Sequence, residues 1–277
     1  MAAIVAHSFG ESSIVLVGVE ISGNNAGPSD GFDEAAISSS GTLQINRSTI
    51  TGNSRAAIVH LGEFPATIIE STIAGTIDPT AFGSAAVLHA GGEMRIERSL
   101  IANNEMTGIE IDSDGSLEIV NSTISGNAGG GVTANHGELV LRFVTIAENG
   151  NYGVFLYAER GTASVESSLI AANGREDCGF YPWGTLNGWD ATSGSNIDSD
   201  DSCSFPETYG AAILRLGPLA DNSGPTWTHA LQVGSPAIDA ITEGCISEDQ
   251  RNLFRPINGA CDVGAFEYHF AVPGFIG

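Results

Sequence analysis

Along the first two thirds of the chain, apolar residues fall in short alternating runs separated by small and polar residues. In Ser116 to Gly137 (SLEIVNSTISGNAGGGVTANHG), Leu117 and Ile119 alternate with polar neighbours, Ile124 follows alone, and Val132 closes the unit. Aligning on Ile124 brings six more copies into place around Ile21, Ile50, Ile73, Ile101, Ile146 and Ile170, at spacings of 22 to 29 residues. Seven and five positions before each isoleucine stands an apolar pair, as in Leu43/Ile45, Met94/Ile96 and Leu139/Leu141. A third apolar position follows near Ile58, Val87, Ile109, Val132, Val154 and Phe180, usually after Gly or Ala. Alternation with period two marks a strand with one buried face. Repeats of this length built from three short strands and sharp corners predict an all-β solenoid, a parallel β-helix of about seven turns.

Two further columns belong to the corners. A small residue precedes the isoleucine by two positions (Val19, Ser48, Ser71, Ser99, Ser122, Val144, Ser168). An asparagine follows it by three: Asn24, Asn53, Asn104, Asn127, Asn149 and Asn173, with Thr76 as the exception. Asparagine tolerates the left-handed backbone of a tight corner. Stacked at the ~4.8 Å strand spacing, its amide can also bond from turn to turn. A structural ladder is therefore expected. Insertions at Gly27 to Ala35 and Ile77 to Gly83 read as corner loops.

Composition fits this picture and narrows the partners. The 277 residues include 36 glycines, and all ten basic residues are arginine against 33 acidic ones, for a net charge of -23. Such acidity argues against nucleic acid, whose binding rests on neutralising phosphates, and against anionic membranes. No run is long enough to span a bilayer. The opening MAAIVAHSFGESS lacks a basic start and a long apolar core, and the repeat begins almost in mid-turn. A segment of a longer exported protein is expected.

The rhythm breaks after Cys178, so the division expected is turns over 1–181 and a C-terminal cap region over 182–277 continuous with them. The cysteines Cys178, Cys203, Cys245 and Cys261 lack zinc-type spacing. Sequential pairing, Cys178–Cys203 and Cys245–Cys261, is the simplest of three connectivities and implies an oxidising compartment. A solenoid end exposes an open core and needs covering, and this loop-rich, disulfide-tied segment is the expected cover.

The blocks LGPLADNSGPTWTHAL, GSPAIDA, DQR with RP, and CDVGAFEY resemble the C-terminal region of bacterial choice-of-anchor Q domain proteins. The STISGN repeats are similar to the right-handed parallel β-helix of that family. The resemblance implies a right-handed helix and an exported or surface-displayed protein, but no reaction. Asp201 departs from it, standing where the family usually has glycine. Asp239, Asp249, Arg251, Arg255 and Asp262 lie inside these blocks, where Arg–carboxylate bracing of the cap is expected.

Candidate chemistry is sparse. Outward positions of the first strand place Arg95, Glu97, Glu118 and Arg142 close together, where an Arg could neutralise charge or act as base beside a carboxylate acid. Alternating charge at strand spacing is more simply cross-strand pairing. Trp183 and Trp189 could stack on sugar rings or plug the core. Asn196, Asp198 and Asp200 have the spacing that begins a calcium loop but lack its central glycine and downstream glutamate. Calcium is thus the one cofactor in view, and none is required. His60 and His89 share a column on neighbouring turns. With no third ligand evident, a polar stack near a corner is the expectation.

These features predict a secreted or cell-surface structural or adhesive module without catalysis. Its partner would be a polysaccharide or surface glycan, or a second copy stacked head to tail through Phe270 to Ile276. The rival is a carbohydrate-active enzyme, lyase or hydrolase, working on the first-strand face.

Overall fold

The computed structural model describes residues 12–24, 35–77, 85–157, 159–182 and 188–269. Each repeat folds into three short strands, and like strands of successive repeats pair in parallel and in register. The first sheet has eight strands, from Ser13–Val17 to Trp189–Ser193. The second has nine, from Glu20–Ser22 to Glu207–Thr208. The third has seven, from Ile37–Ser39 to Cys178–Tyr181. The described residues form a parallel β-helix of seven full turns, with an incomplete eighth made of Trp189–Ser193 and Ile197–Asp198.

The inward columns are those of the repeat. Ile45, Ile68, Ile96, Ile119 and Leu141 line the first sheet, and Ile50, Ile73, Ile101, Ile124 and Ile146 the second, all essentially without solvent exposure. Ile58, Val87, Ile109, Val132 and Val154 line the third. Cys178, not Phe180, continues this column, and Phe180 pairs with Leu156 two positions on. The disulfide Cys178–Cys203 therefore begins inside the core. Both sequential disulfides form.

The asparagine ladder runs along the corner between the second and third sheets. The N–H and side-chain amide of Asn104 both donate to Oδ1 of Asn127, at 3.2 and 2.8 Å. Asn127 does the same to Asn149, and Asn149 to Asn173. Each amide also reaches back to an isoleucine carbonyl of the preceding turn, as Asn127 does to Ile101 at 3.2 Å. The left-handed residue is not the asparagine, however. It is the residue before: Gly23, Gly52, Gly75, Asn103, Gly126, Glu148 and Ala172. Asparagine is needed here for its hydrogen bonds. Glycine before the third strand has a related reason: a Cβ on Gly131 would stand 3.0 Å from the Asn149 amide and 2.7 Å from Ile146.

A serine ladder supports the other corner. Ser71 N–H donates to Ser99 Oγ and Ser99 N–H to Ser122 Oγ, each at 3.1 Å. Each hydroxyl in turn donates to the carbonyl two residues earlier, as Ser122 does to Val120. The residue just before this column is left-handed in every turn, even where it is Arg47, Glu70 or Arg98 before a serine, or Phe143 before Val144.

The C-terminal region divides in two. Trp189 and Phe205 close the end of the core beside Phe180, as an end cover should. Beyond Tyr209 the chain instead turns back along the flank of the rod. Leu214, Leu231, Ile241, Val263 and Phe266 form a second core against Phe143, Leu169, Ala171 and Ile197. This strap covers the outer face of the second sheet from Leu100–Ala102 onward. The outward residues Glu20 and Ser22 of the first turn remain exposed. A short antiparallel pair, Leu216–Ala220 with Thr228–Leu231, stiffens the strap.

Thr76 interrupts the ladder: its N–H still donates to Asn104, but its buried hydroxyl has no partner among the described residues. Thr76→Asn should restore the missing acceptor for Asn53 and raise stability by about 1 kcal/mol in urea unfolding. Asn127→Ala should lower it by about 2–3 kcal/mol, because it strands two buried donors of Asn104.

Candidate functional site

The first-sheet face carries the charged cluster. In-register pairing sets Arg95 beside Glu118 and Thr67, and Glu97 beside Val120 and Ile69. Arg95 donates through Nε to Glu97 at 3.0 Å and through Nη1 to Glu118. Arg98, at the adjoining corner, pairs with Glu97 and at 3.4 Å with Glu70. Glu70 in turn accepts from Asn252 of the strap at 3.2 Å. The result is a continuous chain of alternating charge, Glu118–Arg95–Glu97–Arg98–Glu70. Arg142 does not join it. It stands in the column of Glu97 one strand beyond Glu118 and turns to Glu166 at 2.8 Å.

These contacts bear on the chemistry available. Partial burial works against the Arg95 charge, but the bonds to Glu118 and Glu97 outweigh it and hold the guanidinium above its ordinary pKa. An arginine so held is a poor proton acceptor. The cluster reads as cross-strand pairing between half-exposed groups, each pair worth at most about 1 kcal/mol.

The acidic run after the solenoid completes the ladders. Asn196 Oδ1 accepts the Ser168 N–H at 2.9 Å, taking the place of the next ladder serine. Asp198 accepts Cys203 N–H and the Thr208 hydroxyl. Asp200 accepts the N–H groups of Asp177 and Ser202. Asp177 itself terminates the asparagine ladder, accepting both donors of Asn173 on one oxygen and Ser199 on the other. Burial pushes the carboxyls of Asp177 and Asp198 up, against these hydrogen bonds. Asn196, Asp198 and Asp200 thus point at separate backbone donors. Among the described residues no three His, Cys, Asp or Glu side chains converge as a cation site.

Trp189 donates its indole N–H to Cys203 O at 3.0 Å and lies between Phe180 and Phe205. It is engaged in closing the core, while Trp183 lies outside the described residues. The strap motifs are internally braced. Asp249 takes Arg251 in a two-pronged pair and also caps the N–H groups of Leu253 and Glu267. The fully buried Arg255 donates to the Asp262 and Gly264 carbonyls and pairs with Glu267 at 3.4 Å. Asp262 accepts the N–H groups of Asp239 and Tyr268, and burial raises its pKa to about 6. Sequence reasoning missed Gln250 and Glu267. Gln250 reaches from the strap to Thr123, Ser99 and Thr226.

His60 and His89 are fully buried, with Nδ1 atoms 3.4 Å apart. Nε2–H of His60 is placed to donate to Gly41 O at 3.2 Å, leaving its Nδ1 as acceptor for Nδ1–H of His89. Burial, then the His60 charge, lowers the His89 pKa to about 4. Burial lowers that of His60 as well. The folded pair is neutral, whereas unfolded histidine titrates near 6.5. Stability from this pair is complete above about pH 6.5 and is lost as pH falls toward about 4. His89→Ile, matching Ile111 in the next turn, should flatten the fall in Tm between those pH values in calorimetry. The raised Asp262 acts with opposite sign in both proteins and cancels in the comparison.

The sequence matches the family described as "Right handed beta helix region" over residues 57–199, just over half of the chain. No curated protein matches. A similar solved structure is the crystal structure of pectate lyase Pel9A, at 18% identity and a TM-score of 0.58, covering 90% of this chain and 70% of that one. At that identity the likeness speaks for the fold alone. The family match over more than half of the chain, with three parallel sheets in register, places this chain in the right-handed β-helix family.

Proposed function

We propose that this protein is an extracellular, surface-associated β-helix module that binds polysaccharide and does not cleave it. The observation that carries this reading is the closed charge chain on the first sheet. Glu118, Arg95, Glu97, Arg98 and Glu70 are engaged with one another, and Arg95 is held protonated. A general acid–base pair needs a group poised to exchange a proton near working pH, and the Arg95 guanidinium, held above its ordinary pKa, is not one. The polar residues of the C-terminal motifs are likewise committed to bracing the strap. Export is supported by two disulfides and by the resemblance to choice-of-anchor Q proteins.

A second reading is a polysaccharide lyase or hydrolase acting on the first-sheet face. It is favoured by the likeness in fold to a structure named as a pectate lyase. Incubation with acidic and neutral polysaccharides separates the two, with unsaturated products and reducing ends followed alongside retention in affinity gels. Retention without product is expected. Product formation that disappears in Arg95→Ala and Glu118→Gln would establish the enzyme instead.

A further inference from the structure

The third sheet carries a surface unlike the rest of the rod. Its outward column reads Glu110, Thr133, Phe155 and Gly179 on successive turns. Two residues further along each strand, Tyr157 pairs with Tyr181. Asn135 and Asp112 continue that line on the preceding turns, their N–H groups extending the ladder to Ile111 O and His89 O. Aromatic rings thus occupy the last two turns and short polar side chains the two before them.

The rings form a connected group. Tyr152 and Phe155 have centroids 4.9 Å apart, Phe155 and Tyr157 5.3 Å, and Tyr157 and Tyr181 5.3 Å. Gly179 makes this possible. A Cβ there would lie 2.5 Å from the Tyr152 ring and 2.7 Å from that of Phe155, so both rings rest across its backbone. Tyr181 is 46% exposed, and Phe155 and Tyr157 are half-buried. The Arg175 guanidinium stands 4.9 Å over Tyr152, whose hydroxyl has no hydrogen-bond partner among the described residues. Beside the rings, Asn135 Nδ2 donates to Glu110 at 2.6 Å and approaches Asp112 at 3.5 Å.

Resting on the polysaccharide-binding reading above, we propose that this face is where the glycan docks. The ligand is an extended neutral polysaccharide lying along the rod axis, packed against Tyr157 and Tyr181 on successive turns and hydrogen-bonded by Thr133 and Asn135. Rings exposing apolar faces beside amide and hydroxyl groups suit a pyranose, whose C–H face is apolar and whose edge carries hydroxyls. The ring spacing is about one strand repeat, close to the length of one sugar unit. Glu110 and Asp112, on a chain of net charge -23, disfavour a polyanion.

The test is isothermal titration of the full chain with cellohexaose, xylohexaose, mannohexaose and, as the charged arm, hexagalacturonate. A neutral hexasaccharide should bind, with about tenfold weaker affinity in Tyr181→Ala and again in Asn135→Ala. Melting curves identify any variant that fails to fold, and the exposed Tyr181 and the half-buried, outward Asn135 are chosen to leave the core intact. Binding that survives both substitutions but falls in Arg95→Ala overturns this placement and leaves the polysaccharide reading standing. Preference for hexagalacturonate overturns the neutral class. No binding by any of the four overturns both this inference and the reading beneath it.

Discussion

A solenoid corner presents main-chain donors that no strand will take, and the carboxamide of a stacked asparagine answers this need turn after turn. One Oδ1 receives both an N–H and a side-chain amide from the turn before, while its own Nδ2 ties back to an isoleucine carbonyl. The ladder lies inside the rod, where an unmade hydrogen bond is costly and a made one is sheltered. It also fixes the register. A slip by one residue would turn every isoleucine outward and every asparagine out of line. The three sheets, and the surfaces they present, follow from this alignment.

The two ends of the ladders show how the same chemistry stops. Asp177 replaces an asparagine and Asn196 a serine at the last turn, and the acidic run from Asp198 to Asp201 closes over them. A carboxylate accepts but cannot donate, which suits the final rung of a ladder in which bonds run one way. Asp198 and Asp200, whose spacing resembles a calcium loop, accept the backbone N–H groups of Cys203, Asp177 and Ser202.

The strap applies a different rule. The outer face of the second sheet is small and uncharged where it is covered, at Ala102, Ser125, Ala147 and Ala171, and polar where it is bare, at Glu20 and Ser22. The strap pays for its buried Arg255 with carbonyl acceptors and Glu267, and it grips the rod through Gln250 and through His229, which bonds Ser125 at 2.7 Å. With the second sheet covered, the first and third present the outward residues on which recognition can act. The first holds its charges among themselves, and the third holds aromatic rings.

Much of this was legible in the chain itself. Isoleucine columns, about seven turns and the asparagine ladder follow from spacing, because in-register stacking turns each sequence column into a line in space. The sequential disulfides were only the simplest of three pairings, and the serine column was legible only as a column of small residues. Pairing of Arg95 with Glu118 followed for the same reason. Spacing could not reveal that the left-handed residue precedes the asparagine, since Glu148 and Ala172 accept that backbone only because the rungs around them leave no other. Nor could it show that residues after Tyr209 fold back along the flank, a contact between positions some 130 apart, as from Thr226 to Arg98. The aromatic face was hidden for a similar reason: Tyr152, Phe155, Tyr157 and Tyr181 become one surface only when Gly179 lies beneath them. Local periodicity determined the rod, and packing between distant turns decided what covers it and what it leaves exposed.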